Sequence, residues 1–158
     1  MEIIKYIDVT RAAFPDQPPY QWTENDSTPW TPITKDLAKS KIVLISSSGA
    51  HLKDQAAFNP IKNDLTFREI PKDVDAGDLK ISHDFYDHTD AEKDINCVFP
   101  IERMRELEQE GFIGELSEIN FTFMGRIFRK TQFLDGMIPE VIAKLKQMNI
   151  DLAFLVPA

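Results

Sequence analysis

The chain closes on "IDLAFLVPA", Ile150–Ala158, an almost unbroken apolar run that follows directly on an amphipathic helical pattern. No other stretch constrains the fold as strongly. A strand without polar alternation is one covered on both faces, and a strand arriving straight from a helix pairs parallel with an earlier strand. The run therefore predicts a central strand of a parallel sheet. In such sheets the reactive groups sit at the carboxyl ends of the strands, which is where this chain stops. The expectation is a fold incomplete at its C-terminal end, wanting a further helix and strand of roughly 30 residues to cover the sheet.

The upstream pattern supplies the partners. "KIVLISSSG" (41–49) is a β-branched run ending in small residues, as at the first strand and turn of an open α/β sheet. "TFREI" (66–70) and "LKISH" (79–83) predict two more short strands, and "LSEINFTFMG" (116–125) alternates apolar and polar residues before a glycine. Helical spacing of Ile101, Met104 and Leu107 predicts a helix over 100–111, with Pro100 at its start and Gly111 past its end. A second helix carries Leu134, Met137, Ile138, Val141, Ile142, Leu145 and Met148 on one face, with Pro139 predicting a kink or a helix start. Strands alternating with helices on short links give the α/β class. The expected architecture is a doubly wound, mostly parallel open sheet, a flavodoxin- or Rossmann-like three-layer fold, over residues 41–158. Residues 1–40, with "FPDQPPYQWTENDSTPWTP", predict an extended arm that Trp22 and Trp30 pin to the body or to another subunit.

Composition removes several functions. A net charge of −8 over 158 residues is unsuited to nucleic acid or to an anionic membrane surface. No apolar run approaches the ~20 residues that span a bilayer. "MEIIKYIDVTRAAF" lacks the pattern of a signal peptide. The one cysteine, Cys97, excludes an internal disulfide framework and a cysteine-based zinc site. A cytoplasmic location is expected.

Three stretches hold residues capable of chemistry. "SHDFYDHTDAEKDINCVFP" (82–100) gathers His83, Asp84, Asp87, His88, Asp90, Asp94 and Cys97. Such residues bind metals or position a general base, yet the spacing matches no metal motif, and an Asp-capped solvated loop is the plainer reading. Cys97 lies between Ile95 and Val98, which suits a small core residue better than a nucleophile. "SSSGAH" (46–51) can form an anion-binding turn with His51 as acid or base, and an ordinary Ser-Gly turn equally well. "RIFRK" (126–130) offers Arg126, Arg129 and Lys130 to a carboxylate, or to solvent.

Taken together, "WTPITKDL" (30–37), "SSGAHLKDQAAFNP" (47–60), "LTFREIP" (65–71) and "ISHDFYDHTDAEKDINCVFPIERMRELEQEGFIGEL" (81–116) resemble a known family. It is the selenocysteine-containing B-type subunit of glycine, sarcosine, betaine and D-proline reductases, and the D-proline reductase branch in particular. The resemblance runs from about Trp30 to Ala158. It implies a selenocysteine immediately after "DLAFLVPA", with the present sequence ending where an in-frame UGA is read as stop, so that no catalytic residue lies in the chain itself. It implies an oxidoreductase whose selenolate displaces an amine from an amino-acid-like substrate, with electrons from dithiols or a thioredoxin-type reductant. It further implies a partner subunit carrying a pyruvoyl group that holds the substrate amine. Ser47, Gly49, His51, His83, Asp87, His88, Asp94 and Cys97 fall in matching motifs and become candidates for lining the site. The chain departs from the D-proline branch after "FMG" (123–125), where "RIFRK" replaces a glycine-rich stretch. Two other readings stand beside this one. The chain can be a stand-alone binding or assembly module that buries its terminal strand against a partner or a second copy, or a hydrolase or lyase using the His/Asp cluster with a metal. An uncovered apolar strand also predicts self-association.

Overall fold

The computed structural model describes residues 8, 9, 12, 15, 16, 26–61 and 63–158. Two compact units divide the chain, Met1–Ile33 and Thr34–Ala158. Trp22 and most of the proline-rich arm fall outside the described residues, while Trp30 is 82% exposed.

In the second unit β1 (Lys41–Ser46) is the centre of a mixed sheet. After it come β2 (Ala50–Leu52), β3 (Phe67–Pro71), β4 (Leu79–Ile81), β5 (Glu115–Leu116), β6 (Ile119–Phe123) and β7 (Leu152–Val156). Strands β5 and β6 flank one side of β1 and β7 the other, all parallel to it, while β3 closes the far edge antiparallel to β6. β2 and β4 form a separate antiparallel pair. The fold is α/β, and the main sheet is mixed: its three pairings to β1 are parallel, and the β3–β6 pairing is antiparallel. The segment between β1 and β5 supplies β3 through a chain reversal, which strand periodicity cannot report.

β5 and β6 are one strand interrupted by a bulge. Ile42 pairs with Leu116 and Ile45 with Phe121, so three steps on β1 face five on its neighbour. Asn120 repairs the gap. Its Oδ1 accepts the Leu44 N–H at 2.9 Å, and its Nδ2 donates to the Ser117 carbonyl at 3.0 Å, all in the buried interior.

Alternation along the strands gives the sheet two faces. Ile42, Leu44, Ile70 and Leu116 face the main core with Phe99, Ile101 and Met104. The last two lie on α2 (Ile101–Gln109), which follows the one-and-a-half-turn α1 (Thr89–Lys93). Each of these large side chains contributes about 1.5–3 kcal/mol by leaving water. As expected, α2 stops at Gly111, whose φ of +73° suits glycine, with Phe112 N–H returning to the Leu107 carbonyl. The other face is covered by α3 (Ile138–Gln147): Phe133 just before it meets Phe123, and Lys144 reaches Glu69 at 2.8 Å. Pro139 is the second residue of α3 and has no N–H to give the preceding turn. Of the kink or helix start expected at Pro139 the structure has the helix start, and the segment entering α3 widens into a π-turn over Phe133–Met137.

β7 pairs parallel with β1 as its position after a helix predicts, but it is not a central strand among the described residues. Among the described residues it pairs only with β1 and forms an edge, with Phe154 48% and Leu155 66% exposed on opposite faces. α3 sits over β3 and β6, as the Lys144 contact with Glu69 and its position over the Phe67 ring show, while Leu152 and Val156 of β7 pack in part against the main core.

Candidate functional site

The carboxyl ends of β1, β6 and β7 meet at one place, and backbone hydrogen bonds knit them. Ser47 N–H donates to the Val156 carbonyl (3.1 Å), Gly49 N–H to Phe123 (2.9 Å) and Gly125 N–H to Ser47 (2.9 Å). The Ser47 hydroxyl accepts from Ala158 N–H at 3.0 Å and lies 3.3 Å from the Ala158 carbonyl, to which it donates. Small residues make this junction possible. Gly49 has φ +72°, and a β-carbon there would lie 2.9 Å from the Ser82 carbonyl and 3.1 Å from His83 Cβ. A β-carbon on Gly125 would sit 3.3 Å from His83 Nε2, 3.3 Å from the Ser47 carbonyl and 3.4 Å from the Ala158 carbonyl.

His83 is thus delivered to the strand tips by the turn that follows β4. It is 4% exposed, its ring packed edge-on against Tyr86 at 4.9 Å. Phe85 N–H donates to its Nδ1 at 3.2 Å, which places the proton of the neutral ring on Nε2. Burial holds its pKa below the ordinary value; His88 and Arg126 act in the same direction and Asp84 against it. The ring is therefore neutral at neutral pH. Tyr86 donates its hydroxyl to the Ser48 carbonyl at 3.1 Å, and burial pushes its pKa up to about 12. Arg126, at φ +58°, lays its guanidinium over the Phe85 ring at 3.3 Å.

Of the eight residues singled out in the sequence, Ser47, Gly49 and His83 share the junction. His88 reaches its border through an edge contact with Tyr86 and pairs with Glu92 at 3.1 Å. His51 is spoken for: Nδ1 donates to the Leu52 carbonyl at 2.7 Å, and Nε2 accepts from the Ser82 hydroxyl at 2.9 Å. Asp87 and Asp94 are exposed capping residues, accepting from Thr89 and Asn96, and these bonds keep both carboxyls below their ordinary pKa. Cys97 departs from its expected core position and is exposed, because the 3-10 turn Ile95–Cys97 spends its inward position on Ile95. Tyr86, Gly125 and Arg126 complete the junction. Tyr86 lay unremarked in the polar cluster, Gly125 showed only as a strand end, and Arg126 was weighed as a carboxylate ligand.

Among the described residues no three His, Cys, Asp or Glu side chains converge as a metal site, and no helix is long and apolar enough to cross a membrane. No solved structure matches the chain. The D-proline reductase subunit gamma of Acetoanaerobium sticklandii is 41% identical over 126 residues, covering 80% of this chain and 52% of that protein. The glycine reductase complex component B subunit gamma of Symbiobacterium thermophilum is 34% identical over 113 residues, 67% of this chain and 26% of its own. The sarcosine reductase complex component B subunit beta of Peptoclostridium acidaminophilum is 32% identical over 99 residues, 58% of this chain and 22% of its own. The chain thus spans about half the length of the first of these relatives and about a quarter of the other two. The family profile described as "Glycine/sarcosine/betaine reductase selenoprotein B" matches residues 15–157, and the chain belongs to that family.

Proposed function

We propose that the chain is the N-terminal part of a selenocysteine-dependent reductase subunit, and that the whole subunit cleaves a carbon–heteroatom bond of an amino-acid-like substrate. The observation that carries the reading is the meeting of three strand tips around Gly125 in a member of this family, at the position where open α/β sheets place their chemistry. A selenolate at those tips supplies the nucleophile, the amine leaves, and a dithiol gives two electrons and departs as a disulfide. The chain's own residues build the seat. Ser47 holds the end of β7 through Ala158, and the glycines at 49 and 125 let His83 approach.

The donors at the junction, a buried imidazole N–H and serine hydroxyls, suit the anionic end of a substrate. Its amine is left for a carbonyl electrophile, the pyruvoyl group of a partner subunit. Further strands beside β7 would complete a doubly wound sheet in the whole protein. A cytoplasmic setting fits a thiol-driven reaction, because thiols stay reduced there.

The test is the protein isolated from its source cells. Selenium in its mass spectrum, with dithiol-dependent release of amine in the assembled complex, is the expected result. Selenium-free protein of 158 residues overturns the reading. The exposed Phe154 and Leu155 and the unpaired β7 edge then favour the second reading, an assembly module that buries this strand against a partner. In that case sedimentation shows a stable complex or dimer.

A further inference from the structure

Buried polar atoms in a folded protein find partners almost without exception, and each exception calls for a cause. Among the described residues two buried side-chain atoms have none: Ser48 Oγ and His83 Nε2. Both belong to the strand-tip junction. Gly49 links them, following Ser48 in the chain and packing closely on His83, so that a β-carbon there would come within 3.1 Å of His83 Cβ. The backbone of Ser48 is already engaged, its carbonyl by Tyr86 and its N–H by Ser46 Oγ at 3.1 Å, so its hydroxyl is held in place without a task.

The missing partner can be characterised. His83 Nδ1 is occupied as an acceptor by Phe85 N–H, so Nε2 faces the junction as a donor. A serine hydroxyl also donates. Two unfilled donors at the junction suit an acceptor with two oxygens, and the Arg126 guanidinium, which lies over Phe85 and whose charge acts on His83, favours one that is negatively charged. The space is small, since one methyl group on Gly125 would crowd His83 Nε2 and the Ala158 carbonyl. The surrounding groups can make way, because Phe85 is about half exposed and Arg126 and Ala158 are exposed.

We infer that His83 and Ser48 are the hydrogen-bond donors that hold the carboxylate of a small ligand at the tips of β1, β6 and β7. The inference rests on the strand tips being the substrate site, and it does not require selenium chemistry. The unfilled donors in the free protein are then the counterpart of the bonds made in the complex.

The experiment uses the full chain with 15N-labelled histidine, acetate as probe and methylamine as control. Long-range 1H–15N spectra should show His83 protonated on Nε2 at neutral pH. Acetate should shift His83 saturably and leave His51 unmoved, while methylamine does nothing. His83→Gln, which keeps a donor near the Nε2 position, should bind acetate within a few-fold of wild type, and His83→Phe about ten- to a hundredfold more weakly. Ser48→Ala should weaken acetate binding yet leave the unfolding temperature unchanged or raised, because it removes an unsatisfied buried hydroxyl; a merely structural serine would lower it. A His83 ring protonated on Nδ1, shifts that do not saturate, or undiminished binding in His83→Phe and Ser48→Ala would overturn the inference. None of these readouts depends on reductase turnover, so failure of the proposed reaction and failure of this site are separable.

Discussion

Replacing Asn120 by leucine tests the account of the central sheet. The side chain is fully buried and bridges the bulge between β5 and β6, accepting from Leu44 N–H and donating to the Ser117 carbonyl. Leucine has a similar shape and neither function, so Asn120→Leu strands two buried backbone groups at once. Each such group costs about 1–3 kcal/mol, and the added apolar burial offsets part of the sum, leaving a net loss of about 3 kcal/mol. For a chain of this size that lowers the melting temperature by about 6–12 °C. Thr122→Val strands only the Ala50 carbonyl, which Thr122 Oγ1 reaches, and should cost about 1 kcal/mol. Urea unfolding followed by circular dichroism measures both, and amide exchange should show Leu44 N–H losing protection in Asn120→Leu. A loss under about 1 kcal/mol for Asn120→Leu, or a larger one for Thr122→Val, would refute the bridging role.

Three further outcomes are expected. Gly49→Ala combines a φ of +72° with a β-carbon 2.9 Å from the Ser82 carbonyl, and should destabilise by about 2–4 kcal/mol; an unchanged unfolding midpoint would contradict the turn geometry. Because burial depresses the His83 pKa, the unfolded chain takes up the proton more readily. The stabilisation is complete above the unfolded value of 6.5 and is lost as pH falls below it toward the folded value. Unfolding midpoints measured across that window should decline in wild type and decline less in His83→Gln; equal slopes would show that the ring is not held neutral. Cys97, exposed, should react with Ellman's reagent in the native protein at close to its rate in urea, whereas reaction only after unfolding would return it to the core.

Local signals in the chain determined much of the α/β framework. The runs around β1, β3, β4, β6 and β7, and the helix α2 with its Gly111 stop, follow from side-chain periodicity and backbone preference, which act within a few residues. The reversal that makes β3 antiparallel, the short β2–β4 pair and the bulge repaired by Asn120 were not legible, because pairing partners are chosen by packing across long separations. The residues of the candidate site were partly legible. Ser47, Gly49 and His83 lay in motifs that stand out by composition, whereas the direction of Cys97 depended on which side of a single 3-10 turn Ile95 claimed.

β7 marks the boundary between the two kinds of information most clearly. Its apolar run specifies a strand that favours burial on both faces, and its position after a helix specifies parallel pairing with β1. Periodicity states what a side chain favours as surroundings but does not supply them. Only the tertiary structure shows that α3 lies over β3 and β6, that Phe154 and Leu155 are exposed, and that the tip of β7 is tied by Ser47 beside a buried imidazole with a donor unfilled.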